Sequence, residues 1–352
     1  MMTNDEFQAK RQTLLARLQL ALELEWATLP PYLVALLSMK RSANREAADL
    51  VRGIAMEEML HFALVANVMN AVGGKPLVAK ANCPAYPLTM TFEGRPFADR
   101  TFPIDLGPFS KESIETFMKI EQPQTPIAKT TWAHERIDVP APTIGEFYGE
   151  ISSLLEELDA ALPGKLFTGD RKRQLEGDYF WGGGGAIVIV TDIHSAKTAL
   201  TTVVEQGEGA WPWSQEKLAA TAGEPLEMGH YYRFSEIFYE RHFLKSDQPD
   251  EPPTGDPMPI DYGAVYPIKK NARAMDYPTE SQAAKLNESF NRRYTMMLRQ
   301  LGEAVNGTPN SLYTAIMNGM HEMTSTAREL MQTPFPNSTG GETACPTFEW
   351  VD

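Results

Sequence analysis

Glu58-Met59-Leu60-His61 falls on the apolar stripe of a helix, and no other feature of this chain restricts its fold so strongly. Ile54, Glu58, His61, Val65, Val68 and Val72 advance by alternating steps of four and three, so all six share one face. A carboxylate and an imidazole on that face carry a large desolvation cost unless they are paired or bound to a cation. The same spacing recurs as Glu227-Met228-Gly229-His230, and His230 shares a face with Phe234 and Ile237. Single glutamates lie on two further stripes. Glu25 follows Leu14, Leu18 and Ala21 and precedes Thr28 and Tyr32; Glu205 follows His194, Thr198 and Thr201 on a face beside an apolar one. One Glu from each of two helices, with Glu-x-x-His from each of two others, makes a di-metal site inside a four-helix bundle.

The expected ligands are therefore Glu25, Glu58, His61, Glu205 and His230, with Glu227 as a further candidate. Other readings stay open for several of them. His61 and Glu58 could form a metal-free core pair, Glu205 could be a solvated glutamate near a helix end, and Glu227 could serve as a helix cap. Glu57 lies off the stripe, Glu236 is expected to pair with an Arg such as Arg233, and His194 is too far along its helix to join Glu205 on one ion.

Eight segments read as helices. The first spans about Asp5 to Lys40, and Pro30-Pro31 predicts a kink or a broken turn within it. The second runs from an Asn44 cap to Gly73-Gly74. Residues 75–142 read as a long excursion over the bundle carrying one short helix, Ser110 to Glu121. A capping pattern at Thr143 opens a helix to Leu162. Helices follow at Ala186 to Gln206 and Pro225 to Leu244, joined by a loop containing Trp211 and Trp213 that could cover the site. A proline-rich linker at 245–278 precedes a helical pair, Thr279 to Val305 and Pro309 to Met331, and an irregular tail over 333–352. The expected fold is all-α: residues 1–244 form the bundle with its insertion, and the C-terminal pair packs against it.

Composition narrows the partners. Lys+Arg number 32 against 46 Asp+Glu, a formal charge of −14 with the cations scattered. Phosphate-binding surfaces need clustered cations, so neither nucleic acid nor an anionic membrane is expected. The polar, acidic start of the chain lacks the pattern of a secretion signal, and only Cys83 and Cys345 are present, so a cytoplasmic location is expected.

Longer strings of residues carry a resemblance. Glu23-Leu-Glu25-Trp-Ala-Thr28-Leu-Pro30-Pro31-Tyr32-Leu33, Glu57-Glu58-Met-Leu-His61 with Asn67, and Gly73-Gly74-Lys-Pro76 resemble the ferritin-like domain of the iminophenylpyruvate dimer synthase family of the violacein pathway. Thr143-Ile-Gly-Glu-Phe-Tyr148, Val204-Glu205-Gln-Gly-Glu208-Gly209, His230-Tyr-Tyr-Arg-Phe234 and Pro346-Thr-Phe-Glu349 continue it. The resemblance implies a ferritin-like four-helix bundle with long loop insertions and two extra C-terminal helices. It also implies Glu25, Glu58, His61, Glu205 and His230 as ligands. Cys345 stands where relatives are expected to carry glycine. The named synthases are much larger chains, so their reaction does not follow.

Mixed carboxylate and imidazole ligands suit iron, with manganese or zinc as alternatives. The leading expectation is a di-iron oxidoreductase acting on a small organic, amino-acid-derived substrate with dioxygen or peroxide, with Glu208 as a neighbouring base. The alternative is a metal-binding protein without turnover, serving iron handling or a partner enzyme. Self-association is left open.

Overall fold

The computed structural model describes residues 2–40, 42–95, 100–123, 136–177, 184–209, 211, 213 and 228–352. Four antiparallel rods surround one apolar interior, and they are built in two different ways.

The first two rods are continuous. Helix α1 spans Asn4–Ser38, opened by a Thr3 capping box, and α2 spans Arg45–Ala71. Their mutual face buries Leu14, Leu18, Leu22, Ile54 and Val65 completely. Such side chains contribute about 1.5–3 kcal/mol each in transfer free energy. Helix α1 is long and apolar enough to cross a membrane by length and composition, but its apolar window is 83% buried within the molecule. Packing accounts for that apolarity.

Helix α1 runs through Pro30 and Pro31, so no broken turn occurs there. Pro31 has no N–H for the Ala27 carbonyl, and the Tyr86 hydroxyl donates to that oxygen instead, at 2.7 Å. The predicted Asn44 cap is also used differently. Asn44 precedes α2 in a left-handed conformation, and its amide exchanges two hydrogen bonds with the Asp261 backbone rather than capping the helix.

The other two rods are interrupted. Helix α3 (Lys111–Ile120) and helix α4 (Ile144–Ala161) form the third, and α5 (Ile193–Gln206) and α6 (His230–Tyr239) form the fourth. Helix α3 packs on α6, α4 packs on α1 and α5, and α2 packs on both α5 and α6. Lys111 at the start of α3 pairs with Glu240 just after α6, at 2.9 Å. Lys197 near the start of α5 pairs with Glu156 late in α4. The two rods therefore run in opposite directions.

Each break is stitched. The buried Arg95 guanidinium donates to the Lys119 and Gln122 carbonyls at the end of α3 and to the Pro142 carbonyl, at 2.6 Å, just before α4. Across the other break, His230 N–H donates to the Gly207 carbonyl at 2.7 Å, so α6 resumes where α5 stops. A Cβ on Gly229 would lie 2.8 Å from the carbonyl oxygens of both Gly207 and Glu208, and Gly209 has φ +61°. Only glycine lets the two backbones approach this closely.

Helix α5 is shorter than its expected span. Residues 186–192 are not helical, because the β-branched run Ile187 to Val190 is held outside a helix by side chains. The Gln174 amide pairs with both backbone groups of Val190 at 2.7 Å, and Asn67 donates to the Val188 carbonyl. Asp192 then caps the helix. Helix α6 ends early at Glu240, which has φ 57°, and Glu236 turns to accept the Phe243 N–H instead of pairing with Arg233.

The excursion carries a small sheet that the helical reading omits. Strand β1 (Leu88–Phe92) pairs antiparallel with β2 (Thr101–Ile104), with Met90 opposite Phe102, and parallel with β3 (Arg136–Val139), with Met90 opposite Ile137. Residues 245–278 contain two 3-10 turns and place Met258, Ile268 and Tyr277 in the core. Helix α7 (Gln282–Ala304) packs against α8 (Asn310–Thr314), a π turn (Ala315–Met320) and α9 (His321–Leu330). Trp26 donates to the Tyr294 hydroxyl at 2.9 Å and ties α7 to α1. Thr347 in the tail accepts from Asn287 and Asn291.

Candidate metal centre

The two continuous rods bring their ligand candidates in by periodicity. Helix α1 presents Glu25, Thr28 and Tyr32 on one face, and α2 presents Glu58 and His61 toward them. The interrupted rods supply theirs at cut ends. Glu121 is the residue immediately after α3, and His230 is the first residue of α6.

These residues form two groups that share Glu58. Glu25, Glu58 and His61 make one, and Glu58, Glu121 and His230 make the other; in each, one donor atom per residue lies within 4.8 Å of the others. His61 Nδ1 is 3.4 Å from Glu25 Oε2 and 3.8 Å from Glu58 Oε2. His230 Nδ1 is 2.8 Å from Glu58 Oε1 and 3.6 Å from Glu121 Oε2. Glu58 thus offers one oxygen to each group. The imidazole rings stack with centroids 5.4 Å apart. None of the five residues is more than 3% exposed.

Surrounding groups fix the donors. Tyr148 on α4 donates to Glu25 Oε1, and Tyr32 donates to Glu121 Oε1 at 2.6 Å. Thr28 Oγ1 lies 3.2 Å from Glu58 Oε2. The Nε2 of His61 meets the Gln206 side-chain oxygen at 3.0 Å, and the Nε2 of His230 meets Glu57 Oε2 at 3.0 Å. Arg233 grips both oxygens of Glu57.

Without a cation, the cluster neutralises itself with protons. Burial, then the neighbouring Glu58 charge, pushes Glu25 up to about 8. Burial opposes a charged His61, but Glu25 and Glu58 outweigh it and raise the ring to about 9. Burial likewise disfavours charge on His230, yet Glu121 and Glu58 hold it well above its ordinary value. Glu58 is held well below the carboxylate range, because the two imidazoles overcome its burial. Glu57, also buried, is held at about 2 by His230 and Arg233.

Three carboxylates and two imidazoles fit a pair of divalent cations in charge and in donor type. The His230 Nδ1 supplies the structural test. It is buried and only 2.8 Å from a carboxylate oxygen, yet it makes no aligned hydrogen bond. Donor atoms that converge on a common point, rather than on each other, have this geometry.

Of the residues expected as ligands, Glu25, Glu58, His61 and His230 come together. Glu205 does not: it is exposed on α5, outside both groups, and His194 is exposed on the same helix. Glu121 supplies the third carboxylate in place of Glu205, and it is not among the residues expected from the sequence. Its signal was present, since Ile114, Phe117 and Glu121 step by three and four along α3. Glu227 lies outside the described residues. Trp211 packs edge-on against Tyr232, Phe243 and Trp213.

Glu208 is buried beside the ligand groups and not among them. Its Oε1 accepts the Gly145 N–H at 2.6 Å, and burial pushes its carboxyl up to about 7. A groove of about 1050 Å³ between α1, α4 and α5 leads to it, lined in part by Arg17, Gly145, Glu150, Val204 and Gly209.

Residues 18–239 match a family model described as Ferritin-like. The chain is similar to dichlorochromopyrrolate synthase of Lentzea aerocolonigenes, with 26% identity over 330 residues; the match takes in 84% of this chain and 29% of that synthase. In fold it is similar to the crystal structure of a ferritin-like protein from Caulobacter vibrioides, at a TM-score of 0.58 and 20% identity, over 94% of this chain and 96% of the other.

Proposed function

The chain belongs to the ferritin-like family, and from that premise we propose that it is a di-metal oxidase, with iron as the working metal, acting on a small organic substrate. The observation that carries this reading is Glu58, one buried carboxylate shared by two carboxylate/histidine groups. Glu25 and His61 would hold one ion, Glu121 and His230 the other, with Glu58 between them. A bound iron pair would supply redox chemistry here, giving electrons to dioxygen or peroxide and, once oxidised, accepting two electrons from the organic substrate.

The protein's own groups do the rest. Tyr32 and Tyr148 hold one oxygen of Glu121 and of Glu25, which limits how those carboxylates can turn. The apolar walls of α1 and α2 exclude water. The groove between α1, α4 and α5 is the substrate's approach, and Glu208 is among the residues that line it. With its proton affinity raised to about 7 by burial, Glu208 can take up or release a proton near neutrality. An amino-acid-derived substrate is proposed from the resemblance to the iminophenylpyruvate dimer synthase family; of dichlorochromopyrrolate synthase this chain matches 29% of the length.

The test begins with metal-free full chain. It is loaded anaerobically with ferrous iron, assayed for bound metal, then mixed with dioxygen or peroxide in the presence of amino-acid-derived organic acids and amines. Two irons per chain, an oxidant-dependent absorption change and loss of substrate are expected. A colourless product with no bound iron would overturn the reading. Iron uptake without consumption of any oxidant would reduce it to metal binding.

A further inference from the structure

The two halves of the centre contain the same kinds of residue. One contains Glu25 with its tyrosine, Tyr148, and His61. The other contains Glu121 with its tyrosine, Tyr32, and His230. Each half takes one oxygen of Glu58, and each imidazole presents Nδ1 inward and Nε2 outward. The halves differ in what meets the outward nitrogen. His61 Nε2 faces the neutral amide oxygen of Gln206, whose own N–H₂ is tied to the Gly184 carbonyl. His230 Nε2 faces the carboxylate of Glu57, fixed by Arg233.

That difference acts on the inward nitrogen. A carboxylate accepting the Nε2–H draws the proton toward itself and leaves more electron density on Nδ1, which becomes the stronger donor to a cation. A neutral amide polarises the ring less. The Arg233 charge offsets that of Glu57 at long range. The carboxylate, however, lies between the guanidinium and the imidazole and touches the ring, so its field dominates there. Gly184 backs the arrangement: it has φ +74°, and a Cβ there would fall 2.7 Å from Glu57 Cγ. The backbone thus lies directly against Glu57.

We infer that the two metal positions are unequal, the Glu121/His230 position binding a divalent cation more tightly and filling first, with Glu57 and Gln206 as the positioning residues that set the difference. This rests on the reading that the Glu58 centre holds two cations. In consequence, the Glu25/His61 position is the exchangeable one, and its occupancy decides whether the pair is complete.

The test titrates metal-free full chain with Mn(II), read by calorimetry and by electron paramagnetic resonance. In the wild type two binding steps at least about 10-fold apart are expected. An isolated Mn(II) signal should dominate at one equivalent, and spin coupling should appear only with the second. E57Q should weaken the tight step by about 10–100-fold, the range for loss of an outer partner of a ligand, and leave the weak step within a few-fold. Q206E should tighten the weak step. Damage to folding cannot produce that gain, so the second variant protects the test. Two equal steps in the wild type, or an E57Q effect confined to the weak step, would overturn the inference while leaving a di-metal centre in place. Failure to bind a second equivalent at all would instead overturn the two-cation reading itself.

Discussion

Helices α1 and α2 cross the molecule without a break, whereas the rods opposite them are cut at the level of the ligands. The continuous pair places Glu25, Glu58 and His61 by helical period alone. The interrupted pair places Glu121 just after a helix end and His230 at a helix start. A ligand inside a helix is held by the ladder on both sides. A ligand at a cut end depends on whatever stitches the cut, here Arg95 for one rod and the Gly207–Gly229 contact for the other. The difference divides the labour: one side of the centre is rigid frame, and the other joins the centre to the loops.

The largest effect that would test this division is loss of the carboxylate common to both groups. Glu58→Ala should reduce binding of the metal pair by at least about 100-fold, since removal of an outer partner alone costs 10–100-fold. Metal content after gel filtration checks it. Retention of two ions per chain would show that Glu58 is not shared.

A paired substitution then separates the cut rods from the stripes on them. Glu121→Gln should weaken binding of one ion by about 100-fold or more, whereas Glu205→Gln, on the exposed face of α5, should leave both steps within a factor of about two. Calorimetric titration of the two variants checks this. The reverse order would return Glu205 to the centre.

Third comes the stitch itself. Gly229→Ala places a methyl group 2.8 Å from two carbonyl oxygens and should destabilise the fold by about 1–3 kcal/mol. It should also displace His230, which an altered His230-dependent binding step would reveal. An equivalent change within α2, such as Ala55→Gly, should cost only about 0.5–1 kcal/mol.

The smallest expected effect is the pH dependence of the metal-free chain. His61 is raised to about 9 from 6.5, so the stability it adds is full below 6.5 and is lost as pH rises through 9. Glu25, raised to about 8 from 4.5, favours the folded state in its protonated form, and that contribution is lost as pH rises through 8. Glu57 works in the opposite direction. Held at about 2, it adds stability above 4.5 that is lost as pH falls toward 2. Melting temperature without metal should therefore decline between about pH 4.5 and 9, and Mn(II), which displaces the protons, should remove most of that decline. A flat profile without metal would show that the cluster does not store protons.

The same contrast explains what could be read from the chain. The bundle, its two long helices, and Glu25, Glu58, His61 and His230 were legible because an apolar stripe with a charged residue in phase is unusual. Glu121 was in phase with Ile114 and Phe117, but a ten-residue helix inside a proline-rich excursion gives the stripe too few turns to stand out. Glu205 shares the polar face of α5 with His194, Thr198 and Thr201, beside the apolar face of Ala196, Leu200 and Val203, and it is the apolar face that packs inward, which leaves Glu205 exposed. Continuity through Pro30-Pro31 depends on a partner from another part of the chain, which local propensity does not report. The small sheet had a signal in the alternation Leu88-Thr89-Met90-Thr91-Phe92, outweighed by the surrounding irregular composition.

Proline at position 31 leaves the Ala27 carbonyl bare, two residues beyond Glu25, and the Tyr86 hydroxyl takes it. The missing amide therefore works as a mooring. It gives the excursion a fixed point of attachment within half a turn of a ligand, on a helix that would otherwise present a fully satisfied and featureless backbone. Tyr86, just before β1, is thereby registered to the metal centre through a hydrogen bond that an alanine at position 31 would have closed off.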